Sequence, residues 1–163
     1  TRAIVERSGV GYLRIDKTTV IGDEEIDFNF SKVRVLRQGQ DVVIFAIGGI
    51  VSEALKAADI LQFKNISARV VSVHTLKPLN QESILNHMKE VPNIITLEEN
   101  TIYGGLGSAL AEICVANNVA INSFNSIGLK DVYSSVVGSQ QYLRAYYGMD
   151  AETIVKTACK IRQ

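Results

Sequence analysis
Cysteine is scarce in this chain of 163 residues: Cys114 and Cys159 are the only two. Two cannot build a disulfide framework. Each falls in the apolar stripe of an expected helix, so both are read as small, reduced core residues. A cytoplasmic location is the expectation. Excess charge of one sign is also missing, with 17 Lys and Arg against 17 Asp and Glu. That balance excludes the basic footprint of a nucleic-acid binder and offers no polybasic patch to a membrane. No apolar run approaches the roughly 20 residues that span a bilayer. The start, Thr1-Arg2-Ala3-Ile4-Val5-Glu6-Arg7, is too charged for a signal-peptide core. Excision from a longer protein is the expected origin of a chain opening on Thr1. Only two histidines are present, and no metal site is expected from their surroundings. The length suits one domain with a sizeable core.

Apolar patterning organises the remainder. Val10-Gly11-Tyr12-Leu13-Arg14-Ile15 alternates and predicts a short strand. The polar stretch from Asp16 to Lys32, with Gly22 and Asp23-Glu24-Glu25, has no period and predicts a connector. Val33 to Arg37 predicts a half-exposed strand. Val42-Val43-Ile44-Phe45-Ala46-Ile47 is a continuous apolar run, as a strand buried on both faces requires. The short turn Gln38-Gly39-Gln40-Asp41 predicts that these two strands are antiparallel neighbours. Val51, Ala54, Leu55, Ala58 and Leu61 mark an amphipathic helix. Further strands are expected at Ala68–Val73, from Ile94, and at Val119–Phe124, with helices from Asn80 and through Leu106 to Cys114. The repeated βαβ order from Val42 predicts a parallel sheet with helices on both faces and right-handed crossovers. Ser139 and Asp150 are expected to cap two tail helices, the first stopping at Gly148.

The richest stretch for chemistry is Glu98-Glu99-Asn100-Thr101-Ile102-Tyr103-Gly104-Gly105-Leu106-Gly107-Ser108. Gly104, Gly105 and Gly107 have the composition of a phosphate cradle, since free N–H groups at a helix start attract anions. Their spacing is not the dinucleotide fingerprint, and no Lys-Ser/Thr follows. Glu98 and Glu99 stand just before them and would repel an anion. The glycines are therefore read first as a tight turn with close helix–sheet packing, and second as anion or interface positions. Adjacent strand residues point to opposite faces, which separates Glu98 from Glu99 unless the strand has ended. One carboxylate is expected to bond backbone N–H groups and the other to meet solvent or a partner domain. His74 lies at a strand's carboxyl end without a nucleophile motif, and His87 is expected to be exposed on a helix. Tyr142 and Tyr146 share a helix face suited to packing or an interface. No catalytic, cofactor-binding or metal-ligating residue is assigned.

Four segments in order resemble one family. They are Asp41–Gly48 with Val51-Ser52-Glu53-Ala54-Leu55; Val71-Ser72-Val73-His74-Thr75-Leu76-Lys77-Pro78-Leu79-Asn80; Ile95-Thr96-Leu97-Glu98-Glu99 with Gly104-Gly105-Leu106-Gly107-Ser108; and Gly128-Leu129-Lys130-Asp131 with Gly138-Ser139-Gln140 and Tyr147-Gly148-Met149-Asp150. Together they resemble the C-terminal domain of transketolase-like, thiamine-diphosphate-dependent enzymes, of the transketolase or 1-deoxyxylulose-5-phosphate synthase type. The resemblance runs from about Val33 to Ile161. It implies a three-layer α/β/α fold whose mostly parallel five-stranded sheet has one antiparallel edge strand. It also implies residues 1–32 as a remnant of the preceding pyrimidine-binding domain plus linker, and 33–163 as the C-terminal domain.

The family's reaction is ketol transfer on a sugar phosphate, with thiamine diphosphate and Mg. Its diphosphate–metal motif, Gly-Asp-Gly, does not occur here. The resemblance therefore implies a structural and dimerising part that binds no cofactor alone. Its partners would be the remaining thiamine-diphosphate-binding domains or subunit and a second copy in a homodimer. Ser139 is a further candidate for an anion or interface position. Lys130 stands where the synthases commonly carry Pro, and Ser134–Gly138 has no ionisable group where some relatives carry a Glu-His pair. Two alternatives remain. One is the C-terminal part of a 2-oxo-acid dehydrogenase β subunit, disfavoured because Pro78 and Pro92 are the only prolines. The other is a stand-alone α/β binding or regulatory module.

Overall fold
The computed structural model describes residues 1–16, 28–30 and 32–162. Five strands form the sheet: β1 Arg34–Arg37, β2 Val42–Ile47, β3 Ala68–Ser72, β4 Asn93–Thr101 and β5 Ser123–Leu129. The α-helices are α1 Arg2–Val5, α2 Val51–Phe63, α3 Gln81–Glu90, α4 Leu106–Ala116, α5 Gln140–Tyr146 and α6 Ala151–Ile161. The strand order is β1-β3-β2-β4-β5. β2 runs parallel to β3 and β4, β4 runs parallel to β5, and β1 alone is antiparallel, on β3. This is the expected three-layer α/β/α architecture with one antiparallel edge strand.

The continuous apolar run of β2 follows from its central place. Successive side chains leave opposite faces of a strand, and here both faces are covered. Ile44 and Ala46 pack with Val70, Ile95 and Leu97 under α2 and α6. Val43 and Phe45 pack with Val71 and Ile94 under α3 and α4. Side-chain caps hold three helix starts: Asn80 accepts from Ser83 N, Ser139 from Tyr142 N and Asp150 from Thr153 N. Each satisfies a backbone donor that the helix itself leaves unpaired.

Three expectations are corrected. β1 and β2 are not neighbours, because β3 lies between them. The connecting turn straddles the start of β3: Asp41 N donates to Ser67 O at 2.9 Å, and Ser67 N donates to the Asp41 carboxylate at 2.6 Å. Four residues span two strand spacings of about 4.8 Å without strain. The last strand is β5, beginning at Ser123 rather than Val119; residues 119–122 are irregular and close off α4, with Val119 N donating to Cys114 O at 3.0 Å. The Val10–Ile15 segment forms no strand. It is exposed throughout, and alternation yields a strand only where a face is buried. The connector expected over Asp16–Lys32 lies mostly outside the described residues, Gly22 and Asp23-Glu24-Glu25 included.

Candidate functional site: the carboxyl end of the sheet
β4 carries its apolar residues Ile94, Ile95 and Leu97 through the core and ends in the two glutamates. Glu98 is only 3% exposed, yet it is charge-bearing, so it needs internal partners. It finds them at the start of α4. Leu106 N donates to Oε2 and Gly107 N to Oε1, both at 2.9 Å. A carboxylate at a helix N-terminus also meets the positive end of the helix dipole. The chain around it is shaped for this contact. Gly104 has φ of 73°, and a Cβ on Gly105 would sit 1.9 Å from Glu98 Oε2. A Cβ on Gly107 would press on Ser126 Oγ at 2.6 Å and Thr96 Oγ1 at 2.8 Å, two hydroxyls bonded to each other, Thr96 being fully buried. Glu98, Gly104, Gly105 and Gly107 therefore form one knot. Its anion is the chain's own carboxylate.

Glu99 leaves the opposite face, as strand alternation requires. Its side chain is 22% exposed, so it keeps some contact with solvent. Arg144 of α5 donates from Nε and Nη2 to its two oxygens, both at 2.8 Å, in a fork that fixes the relative position of strand and helix. Gln140 Nε2 adds a bond at 3.1 Å and also reaches Asp16 at 3.4 Å. Arg144 is buried and lies 4.0 Å from a second carboxylate, Glu53 of α2. Glu53 accepts from Ala151 N at 3.1 Å, at the start of α6, and from Lys56 at 2.8 Å. The hydrogen bond to Glu99 is the main cause of an Arg144 pKa above its ordinary value. Ser139, one residue before α5, spends its hydroxyl as the cap on Tyr142 N at 3.2 Å.

Glu53 and Arg144 are the residues that sequence reasoning missed. Glu53 carries a signal: it shares the helix face of Ala57 and Leu61, and a charge at a core position implies a buried partner. Arg144 carries none.

The histidines lie apart from this cluster. His74 follows β3; its Nδ1 is 2.8 Å from Thr75 Oγ1 and its ring leans on Phe28, 4.6 Å between centroids. Partial loss of water lowers its pKa, against a bond from the Lys32 backbone that raises it. His87 is half-buried rather than exposed, against Arg69 and Phe45. Cys114 is buried and Cys159 partly so, both unbridged.

A diphosphate with its metal does not fit this donor set. Among the described residues no group of three or more His, Cys, Asp or Glu is placed to hold a metal ion. None of their buried side-chain nitrogens or oxygens lacks a partner, and the α4 N-terminus is already taken by Glu98.

Comparison with known proteins agrees with this geometry. The family model described as transketolase, C-terminal domain, matches residues 31–154. A 1-deoxy-D-xylulose-5-phosphate synthase of Desulforudis audaxviator is 37% identical over 96% of the chain and 25% of its own length. A putative transketolase C-terminal section of Methanocaldococcus jannaschii is 38% identical over 95% of the chain and 49% of its own. A solved structure described as a split gene transketolase, inactive β4 tetramer, superposes with a TM-score of 0.77 at 31% identity, covering 88% of this chain and 46% of that one. The chain thus spans between a quarter and a half of the length of these relatives. With four motifs in order, the fold and the family match in agreement, the chain belongs to the transketolase C-terminal domain family.

Proposed function
We propose that this chain serves as the C-terminal domain of a thiamine-diphosphate-dependent, transketolase-type transferase. Thiamine diphosphate, Mg and a sugar-phosphate substrate are held by other domains or a partner subunit. The role of this domain is structural: it braces one wall of the active-site region and supports a homodimer. One observation carries the reading. Open α/β sheets hold ligands at the carboxyl ends of their strands, and here that end is filled from within by Glu98 on α4 and by the Glu99–Arg144 fork. Such a site holds elements together, with the donors of the α4 start and of Arg144 already engaged by the chain's own carboxylates.

Self-association is supported by a relative described as a β4 tetramer and by the exposed rings of Tyr142 and Tyr146 on α5. Residues 1–32 are proposed as the end of a pyrimidine-binding domain plus linker. The exposure of Val10, Tyr12 and Ile15 supports this, since those side chains suit a sheet outside this domain. A cytoplasmic setting fits the unbridged cysteines. Among the described residues no helix is long and apolar enough to cross a membrane.

The test is reconstitution. Mixed with the cofactor-binding subunit or domains of a transketolase of this type, the chain is expected to restore ketol transfer that neither part shows alone. Sedimentation of the chain over a range of concentrations is expected to show a dimer. Turnover by the chain alone would overturn the reading.

A further inference from the structure
Away from the carboxyl end, a second charged cluster sits between β3 and α3. Arg69 is buried within β3. Its Nε donates to Gly39 O at 3.1 Å and its Nη1 to Glu90 Oε2 at 2.6 Å; the same Nη1 lies 3.0 Å from His87 Nδ1. A guanidinium has five donors, no acceptor, and keeps its proton. The contact with His87 is therefore a hydrogen bond only if Nδ1 offers a lone pair. That requires a neutral imidazole with its proton on Nε2. Protonating the ring places an N–H against a guanidinium, and two cations face each other.

We propose that Arg69 and His87 form an acid-weakened latch, which adds to the Arg69–Glu90 pair in pinning the carboxyl-terminal turn of α3 to β3 while His87 is neutral and is lost when His87 gains a proton. This goes beyond the proposed function and does not depend on it. The ring stands 6.4 Å from that of Phe45, centroid to centroid, and its neighbour Met88 is fully buried, which ties this turn of α3 to the core.

Among the described residues, the groups facing His87 are few. Arg69 comes from β3 and Glu90 from α3 itself; β2 contributes the uncharged ring of Phe45. From α4, Cys114 touches Met88 with a thiol that burial keeps protonated. Burial and then Arg69 lower the His87 pKa, and Glu90 opposes them. Arg69 in turn lowers the pKa of Glu90, so Glu90 stays ionised while His87 titrates. In the window between the lowered value and about 6.5, the unfolded chain binds more protons than the folded one. The stability contributed by the latch is thus present above about 6.5 and lost as pH falls through that window.

The test uses the 163-residue chain and its His74→Gln variant, which leaves His87 as the only imidazole. Long-range proton–nitrogen NMR is expected to show the Nε2–H tautomer above pH 7 and a titration midpoint below 6.5. Hydrogen exchange in the last turn of α3, corrected for intrinsic rates, should accelerate with the same midpoint. The opening equilibrium should rise by up to about tenfold for each pH unit between that midpoint and 6.5. His87→Asn supplies a non-titrating acceptor near Nδ1 and should abolish the step. An Nδ1–H tautomer, a midpoint at or above 6.5, or a step that survives in His87→Asn each overturns the latch.

Discussion

Replacing Glu98 tests the internal-anion account most sharply. In Glu98→Ala, the N–H groups of Leu106 and Gly107 lose the carboxylate that accepts from them in a site that is 3% exposed. Hydrogen bonds to a charged group contribute about 1.5–3 kcal/mol each, and a buried donor left unpaired costs a similar amount. The favourable interaction with the helix start adds up to about 2 kcal/mol. These terms overlap, so a loss of about 3–4 kcal/mol is expected rather than their sum. For a chain of this size that lowers Tm by roughly 6–16 °C at about 2–4 °C per kcal/mol. Glu98→Gln keeps one acceptor but turns an amide N–H₂ towards a backbone donor, and should lose about 2 kcal/mol. Gly105→Ala drives a Cβ to 1.9 Å from Glu98 Oε2, so its cost should shrink in a Glu98→Ala background. Urea unfolding of the single and double variants reads all of this. If both Glu98 variants lose under about 0.5 kcal/mol, an ordinary surface value, the carboxylate is not holding α4 and the reasoning fails.

Three further outcomes are expected. Arg144→Met should cost about 2–4 kcal/mol by urea unfolding, because it strips the cation from Glu99 and from the buried Glu53, while Arg144→Lys should recover less than half, lacking the two-pronged fork. An unaltered midpoint in Arg144→Met would show that the fork holds nothing. Gly107→Ala should lose about 1–3 kcal/mol by overpacking the Thr96 and Ser126 hydroxyls, and a Tm within a degree of the parent would contradict the close approach of α4 to the sheet. The lowered pKa of His74 makes the unfolded chain the better proton acceptor below about 6.5, so stability falls as pH drops through that window. His74→Gln should flatten that part of a Tm–pH profile, and an identical profile would contradict it.

Local signals in the sequence were reliable where a single segment carries the whole cause. The buried run Val42–Ile47, the caps Asn80, Ser139 and Asp150, and the glycine turn after Glu98-Glu99 each declare their geometry through residue type and spacing. Errors arose where the partner is distant. The short turn between them points β1 to β2, whereas the ladder is decided by β3, whose pairing residues lie more than thirty positions on. The sequence signal for β5 lies too early, because Val119 and Ile121 are apolar while Ser123, Asn125 and Ser126 are not. As an edge strand it pairs on one side only and does not need a continuous apolar run. The Glu99–Arg144 fork joins residues 45 apart, and nothing local to either announces the other. Arg69 and His87 likewise meet through a strand-to-helix contact across 18 positions.

Calorimetric titration of thiamine diphosphate with Mg into this chain tests the central claim most directly. The account predicts heats indistinguishable from dilution, because Glu98 holds the anion position at α4 and Arg144 is committed to Glu99. Saturable binding at micromolar concentration, abolished by substitutions at this end of the sheet, would contradict it and make the domain a cofactor site in its own right.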